Sequence, residues 1–410
     1  MTLKRSPDLR GEVLDLFLVA GEESGDQLGA ALMRALRTAT GGAVHFAGVG
    51  GREMAKEGVR SLYSIDDLPI IGFSAIPRRL PRILRLMRFT AREVVARHPN
   101  AFVIIDSPGF TRGIARRVRA ADPTIPIVEY VSPSVWAWRP GRARVMRGYI
   151  DHILAILPFE PEVHRRLNGP PCSYVGHPLV ERVHRLRPNP EEARRRLASP
   201  PVLLVLPGSR MGEIRRLLGV FAEAVKLVRD RIGSLEVAIP TLPHLIKTIR
   251  DATEHWDVPP RVMADPAEKE AAFRVARAAL AKSGTVTLEL ALAGIPMVAA
   301  YKVSTIEYVT VGPAIRKRIS SIILPNLLLG ENVVPEILQH HCTAETLARA
   351  LVALFDQTPE RQRQIDAFSR LDSIMEIGSS MPAARAAGIV LNVARHDLPA
   401  KAAMRHSSGR

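Results

Sequence analysis

The feature that most limits the fold is a set of short apolar runs separated by helical stretches. "VLDLFLVA" (13–20), "AVHFAGVG" (43–50), "NAFVIID" (100–106), "PIVEYVSP" (126–133) and "HILAILP" (152–158) punctuate the first half. "PVLLVLPGSR" (201–210), "LEVAIP" (235–240), "RVMAD" (261–265), "AALAKSG" (278–284) and "PMVAAYKV" (296–303) do so in the second. A strand that is apolar at successive positions has no wet face. Such strands belong to parallel sheets covered by helices, and the helical patterns, 26–37 and 79–97 among them, supply the crossovers. At 410 residues the chain exceeds one ordinary core and suits two α/β domains. The expected fold is two Rossmann-like doubly wound domains facing across a cleft, residues 1–185 and 186–380. "VERVHRLRPNPEEARRRLASPP" (180–201), rich in Arg and Pro, reads as the linker. Residues 381–410 hold a helical stretch, "PAARAAGIVLNVARH", apolar enough to pack back on the first domain, and then a frayed tail. In sheets of this kind ligands bind at the carboxyl ends of the strands.

Composition narrows the classes. Hydrophobic residues at 47% rule out a disordered chain. There is no unbroken apolar run of 18 residues, so no spanning helix is expected. The N-terminal apolar stretch is short, interrupted by Asp15, and runs into an acidic loop, so it reads as a first strand rather than a signal peptide. Cys172 and Cys342 lack metal-ligand spacing and read as free thiols of a reducing cytoplasm. The formal charge of +16 favours anionic partners, namely phosphorylated substrates, an anionic membrane face or nucleic acid. With only 5% aromatics and no nucleic-acid-binding signature, nucleic acid is not the expected partner.

Several stretches carry chemistry. In "GEESGDQLG" the first strand ends at a glycine turn, yet Glu22, Glu23 and Asp26 stand where a phosphate would go. Ser24 and Gln27 have capping-box spacing and are expected to start the helix. Glu22 and Asp26 then contact sugar hydroxyls, orient a neighbour or belong to a local capping network. In "FVIIDSPGF" Asp106 ends a buried strand, where a carboxylate either accepts a proton from a substrate hydroxyl or caps a turn. "YVSPSVWAWRPGR" sets Ser132, Trp136 and Arg139 in a sugar or acyl contact surface, or in wall packing. His177 near the hinge is either a site or a structural histidine. In the second half, Gly208, Ser209 and Arg210 lie between strand and helix, where free N–H groups and a guanidinium suit a phosphate or where Ser209 caps an ordinary helix start. No Lys-Ser/Thr pair follows, so this is not a Walker loop. Ser283, Gly284 and Thr285 open another helix, with Glu289 one turn in, placed either for ribose hydroxyls or for a structural bond in a buried, capped helix. Together these describe a nucleotide-diphosphate site with no metal and no cofactor. Finally, residues 70–95 interleave Ile71, Phe73, Ile76 and Leu80 with Arg78, Arg79 and further arginines. This basic amphipathic element either lies on an anionic bilayer or covers the core with a solvated face.

"VAGEESGDQLGA", "IDSPGF", "YVSPSVWAWR", "LPFE", "VGHPLVE", "LPGSR", "SGTVTLE" and "LPNLLLG" occur in an order and spacing that resemble lipid-A-disaccharide synthases, from about residue 14 to 390. The resemblance implies an inverting GT-B-type glycosyltransferase, peripheral on the cytoplasmic face of a Gram-negative inner membrane. It would join UDP-2,3-diacylglucosamine to 2,3-diacylglucosamine 1-phosphate (lipid X), giving a β-1,6-linked disaccharide 1-phosphate and UDP. The family's catalytic aspartate falls on Asp106, its arginine on Arg210, its ribose-binding acid on Glu289 and the asparagine of its L-P-N motif on Asn326. Gly109 and Thr111 stand where many members carry Asp and Asn, and Ala75 where some carry Glu. The alternatives are a GT-B enzyme acting on a soluble UDP-sugar and a non-catalytic anion- or RNA-binding protein.

Overall fold

The computed structural model describes residues 13–65, 76–303, 319–377 and 380–396. They form two compact units. One takes the described residues through Pro178 and those after Gly378; the other is Leu179–Ile377.

The first unit is built on a parallel sheet of six strands, in the order β2-β1-β3-β4-β5-β6. The strands are β1 (Leu14–Ala20), β2 (Val44–Val49), β3 (Ala101–Ile105), β4 (Ile127–Tyr130), β5 (His152–Ala155) and β6 (Cys172–Tyr174). Between them run α1 (Glu23–Ala39), α2 (Arg52–Lys56), α3 (Ile76–Arg97), α4 (Thr111–Ala121), α5 (Gly141–Met146) and α6 (Glu160–Arg166). The period-2 geometry of a strand explains the continuous apolar runs. Along β1, Leu14, Leu16, Leu18 and Ala20 join Leu32, Met33 and Leu36 of α1 on one face. Phe17 and Val19 point the other way, to Met87, Ala91 and Val94 of α3 and Ile114 and Val118 of α4. β3 is buried at every position.

The second unit repeats the plan, with sheet order β12-β11-β10-β7-β8-β9. Its strands are β7 (Val202–Leu206), β8 (Glu236–Pro240), β9 (Arg261–Met263), β10 (Ala278–Lys282), β11 (Met297–Tyr301) and β12 (Glu336–Leu338). The helices are α7 (Val183–Leu186), α8 (Pro190–Leu197), α9 (Met211–Ile232), α10 (Ile246–Thr253), α11 (Pro266–Val275), α12 (Val286–Leu292), α13 (Leu324–Leu329), α14 (Ala344–Val352) and α15 (Pro359–Ile374). All paired strands in both sheets are parallel. The last helix, α16 (Pro382–His396), belongs to the first unit, where Ala386, Ala387, Val390, Leu391 and Ala394 enter the core beside α1.

The stretch read as a linker is folded into the second unit. Leu179, Val183 and Leu186 enter its core, so the unit begins ahead of residue 185. Asn189 and Glu192 form a capping box for α8. Arg196 is buried and donates to the carbonyl oxygens of Phe273, Arg274, Ala293 and Gly294. Those carbonyls end α11 and α12, where the helix dipole favours a cation.

Candidate active site

In each sheet the strand order reverses once, and the crevice outside the carboxyl ends at that reversal is where an open α/β sheet binds ligand. In the first unit it lies between β1 and β3, which are hydrogen-bonded neighbours. β1 leads into Gly21, and β3 into Asp106. A Cβ on Gly21 would lie 2.5 Å from that of Ser107, so only glycine lets the two strand ends approach this closely. The glycines of "GEESGDQLG" therefore serve packing: Cβ atoms on Gly25 and Gly29 would meet Ile105 and Met54.

Asp106 is half-buried and takes a left-handed conformation with φ of 50°, as does Ser107 with 47°. Such conformations cost about 1–3 kcal/mol each in a non-glycine residue and persist only where the surroundings over-determine them. Here they do. The Asp106 N–H donates to the Tyr130 carbonyl at 3.1 Å, and its own carbonyl accepts from Thr111 Oγ1 at 2.7 Å. Asp106 Oδ1 accepts from the Ser107 N–H at 2.7 Å, and Oδ2 faces the Ser24 hydroxyl at 3.4 Å. Thr111 thus supports the aspartate's main chain, while Gly109 is exposed. The carboxylate combines one oxygen bonded within the turn with a second whose contact is the distant Ser24 hydroxyl.

Other residues singled out in this unit take different roles. Glu22, not Ser24, is the N-cap of α1, and no side chain caps that helix; Ser24 sits in the first turn, turned to Asp106. Asp26 is buried and accepts from the N–H groups of Gly51, Glu53 and Met54 at 2.7–3.0 Å, so it caps α2 and is spent inside the unit. Ser132 is buried, with its hydroxyl 3.0 Å from His164 Nε2. Trp136 is half-buried, packs edge-on to Phe159 at 5.4 Å and its Nε1 donates to Glu160 Oε1 at 3.4 Å. Arg139 is exposed, over the Trp138 ring at 5.2 Å. His177 is buried.

Sequence reading missed a buried ionisable group behind Asp106. Arg112 Nε donates to Glu129 Oε1 at 2.7 Å, and both side chains are buried. Burial pushes Glu129 up to about 6 against the pull of Arg112, with the Asp106 charge adding to the rise. Burial also pushes Glu160 up to about 8 and, with the Arg112 charge, His164 down to about 4. These residues stand far apart in sequence, and only the register Ile104↔Glu129 and the packing of α6 bring them together.

In the second unit the strand order reverses between β7 and β10. β7 leads into Gly208, with φ of 117°, and Ser209 and Arg210 follow exposed. Arg210, rather than Ser209, is the N-cap of α9 and makes no side-chain cap bond. β10 ends at Lys282. Ser283 is buried, its N–H and hydroxyl both turned to the Ala300 carbonyl, which leaves Gly284 and the exposed Thr285 at the surface of the turn. Thr285 is the N-cap of α12. One ion pair spans the two turns. Lys282 Nζ lies 2.9 Å from Glu213 Oε1 and 3.6 Å from where a Gly284 Cβ would be, while Glu213 Oε2 lies 2.6 Å from the Cβ position of Gly208. Glu289 is half-buried and accepts from Lys269 Nζ at 2.7 Å. Asn326, the asparagine of the L-P-N stretch, is buried. Its amide donates to the Val334 carbonyl and to Glu336 and accepts from the N–H groups of Val333 and Val334, so it pins its own loop.

Of the basic amphipathic element, Ile71, Phe73 and Ala75 lie outside the described residues, as do the side chains of Ile76, Arg78 and Arg79. Leu80 is 44% exposed and Phe89 42%, while Met87, Ala91 and Val94 fill the core. Among the described residues no helix is long and apolar enough to cross a membrane.

Known proteins share this organisation. An acinetobacter baumannii MurG structure, 15% identical, superposes with a TM-score of 0.54 over 92% of this chain and 99% of its own. A Methanocaldococcus jannaschii UDP-GlcNAc 2-epimerase, solved with UDP-GlcNAc and UDP, is 12% identical with a TM-score of 0.56 over 92% and 100%. At such identities the likeness speaks for a GT-B-type fold alone. Sequence relatives speak further. A lipid-A-disaccharide synthase of Rhodopseudomonas palustris (strain BisB18) is 58% identical over 95% of this chain and 97% of its own length. One from Bradyrhizobium diazoefficiens is 56% identical over 93% and 96%. The sequence pattern of the family described as lipid-A-disaccharide synthetase matches residues 16–390. The chain therefore belongs to the lipid-A-disaccharide synthase family and is a glycosyltransferase of lipid A biosynthesis.

Proposed function

We propose that this enzyme transfers the sugar of UDP-2,3-diacylglucosamine to the primary hydroxyl of 2,3-diacylglucosamine 1-phosphate (lipid X), with Asp106 as base. The observation that carries the reading is Asp106 itself. It is a carboxylate held in a strained left-handed turn at the strand-order reversal of the first sheet, with Oδ2 directed at the crevice side. Asp106 takes the proton of the acceptor hydroxyl as that oxygen forms a bond to the donor's anomeric carbon. The bond from the same carbon to the diphosphate oxygen breaks, the configuration inverts, and UDP leaves with the electron pair. The products are a β-1,6-linked disaccharide 1-phosphate and UDP.

Charge gathers on the departing diphosphate. The Gly208 and Gly284 turns, the N-terminus of α9, Arg210 and Lys282 supply N–H groups and cations for it, and Glu289 faces the ribose. Preorganised donors of this kind are worth about 3–4 kcal/mol each toward the transition state. Arg210→Ala is expected to weaken UDP binding by about 10–100-fold, the range of a charge-assisted hydrogen bond. Unchanged affinity in calorimetry would remove Arg210 from the site.

Both substrates are acylated, and α3 offers exposed Leu80 and Phe89 with Arg82, Arg85, Arg88 and Arg92 on a chain of formal charge +16. This supports peripheral docking on the anionic cytoplasmic face of the inner membrane. The deciding assay incubates the protein with the two lipids and follows UDP and disaccharide 1-phosphate. Failure to form either product overturns the reading, and equal turnover of deacylated sugars would point to a soluble substrate.

A further inference from the structure

Behind Asp106 the first unit buries an ion pair that the proposed reaction does not use. Arg112 is 8% exposed and Glu129 2%, and they share one hydrogen bond of 2.7 Å. Arg112 Nη2 and Glu129 Oε2 have no partner among the described residues. A buried pair so sparsely bonded is a poor source of stability, because desolvation costs several kcal/mol per ion and a packed apolar pair often does as well. Its position suggests another use. Asp106 is gripped at both ends of its main chain by the immediate neighbours of this pair. Its N–H donates to the carbonyl of Tyr130, the residue after Glu129. Its carbonyl accepts from the hydroxyl of Thr111, the residue before Arg112. The Arg112–Glu129 bond therefore ties the first turn of α4 to the end of β4, the two elements that hold Asp106 and Ser107 at φ of 50° and 47°.

We propose that Arg112 and Glu129 are positioning residues: their buried bond clamps α4 to β4 and so keeps the Asp106 carboxylate turned toward the acceptor hydroxyl. This rests on the reading of Asp106 as the base. Misplacing a reacting group by about 1 Å costs on the order of 100-fold in rate without touching substrate contacts elsewhere. The clamp is thus visible in turnover and not in binding.

The experiment compares Glu129→Ala, Glu129→Gln, Arg112→Met and the double variant Arg112→Met/Glu129→Met with wild type and Asp106→Asn. Readouts are kcat, KM for both lipids, UDP affinity and the melting temperature. Glu129→Ala and Arg112→Met are expected to lower kcat by about 10–100-fold, with KM and UDP affinity within about twofold. Glu129→Gln keeps an acceptor for Arg112 Nε and is expected to stay within about threefold of wild-type kcat. The double variant removes both buried charges, so it regains melting temperature but not kcat. If kcat returns with melting temperature in the double variant, the pair is merely structural and the inference falls. The same holds if Glu129→Ala folds and turns over normally while Asp106→Asn is inactive. If Asp106→Asn itself keeps turnover, the base assignment fails and the clamp with it.

Discussion

At Asp106 one carboxylate bonds the Ser107 N–H and, in the proposed reaction, takes the acceptor proton, and a single substitution separates the two. Asparagine still accepts from the Ser107 N–H and tolerates the left-handed turn better than most residues, so Asp106→Asn keeps the fold. It cannot take a proton. Turnover is expected to fall by about 100–10,000-fold, the range of positioned base catalysis, with UDP affinity by calorimetry within about twofold. Asp26 makes the opposite case. Asp26→Ala strips an acceptor from three N–H groups near the start of α2 and leaves buried donors unpaired. The loss is about 2–4 kcal/mol, combining a lost cap with an unsatisfied donor. Urea unfolding should report that loss while UDP affinity stays put; an intact midpoint would mean α2 is held otherwise. These two aspartates look alike in sequence, each polar beside a strand end in a glycine-rich stretch. What separates them is the N–H groups each accepts from, Asp106 that of its neighbour Ser107 and Asp26 those of Gly51, Glu53 and Met54, which only the fold brings near. Asn326 likewise shows its contacts only in the fold, accepting from the N–H groups of Val333 and Val334, seven and eight positions on.

Among elements, the turns at Asp106, Gly208 and Gly284 all follow strands at which the order reverses, and the apolar runs made that legible. β1, β3, β7 and β10 were all visible as runs buried on two faces, so the residues following them were visible as well. The three-residue edge strands β6 (Cys-Ser-Tyr) and β12 (Glu-Ile-Leu) were not, because neither lies in an apolar run, whereas the equally short edge strand β9 was read within "RVMAD". Nor was the Glu213–Lys282 pair, since neither residue is unusual alone; only the pairing of β10 beside β7 joins them. That pair carries a prediction. Glu213 places a carboxylate beside the Gly208 turn and occupies the Lys282 ammonium. A diphosphate arriving there meets a competing anion. Glu213→Gln is expected to tighten UDP binding by about 3–10-fold at low salt, and Lys282→Met to weaken it by a similar factor, as partly buried charge–charge contacts of about 1 kcal/mol would give. Titration calorimetry at two ionic strengths checks both, and weaker binding by Glu213→Gln would show that Lys282 needs its partner to stay in place.

For the molecule as a whole, the ionisable groups are unevenly shared, and this sets a pH response. Glu129, Glu160 and His164 all lie in the first unit. Among the described residues of the second, burial brings Arg196 and Arg361 down to about 10, beyond the neutral range. Glu160 folds with its carboxyl pushed up to about 8 from 4.5, so the folded state holds a proton that the unfolded chain releases. Its stabilising effect is therefore complete below about 4.5 and is lost as pH rises through 8. Glu129, moved up to about 6, acts in the same direction between 4.5 and 6. His164, moved down to about 4, acts in the opposite direction, adding stability as pH rises from 4 to 6.5. Below pH 6.5 these effects offset one another; above it Glu160 stands alone among the three. From pH 6.5 to 8 the first unit should lose about 1–2 kcal/mol, from the area under the Glu160 titration. Glu160→Gln, uncharged throughout, should not lose it. Hydrogen exchange at residues 152–155 of β5, compared between wild type and variant at each pH, isolates this from the intrinsic rise of exchange with pH. A constant difference between the two proteins across that window would mean that Glu160 is ionised in the fold. The Trp136 and Leu157 N–H groups would then be its counter-donors, and their hydrogen bonds would have to offset the desolvation that burial imposes.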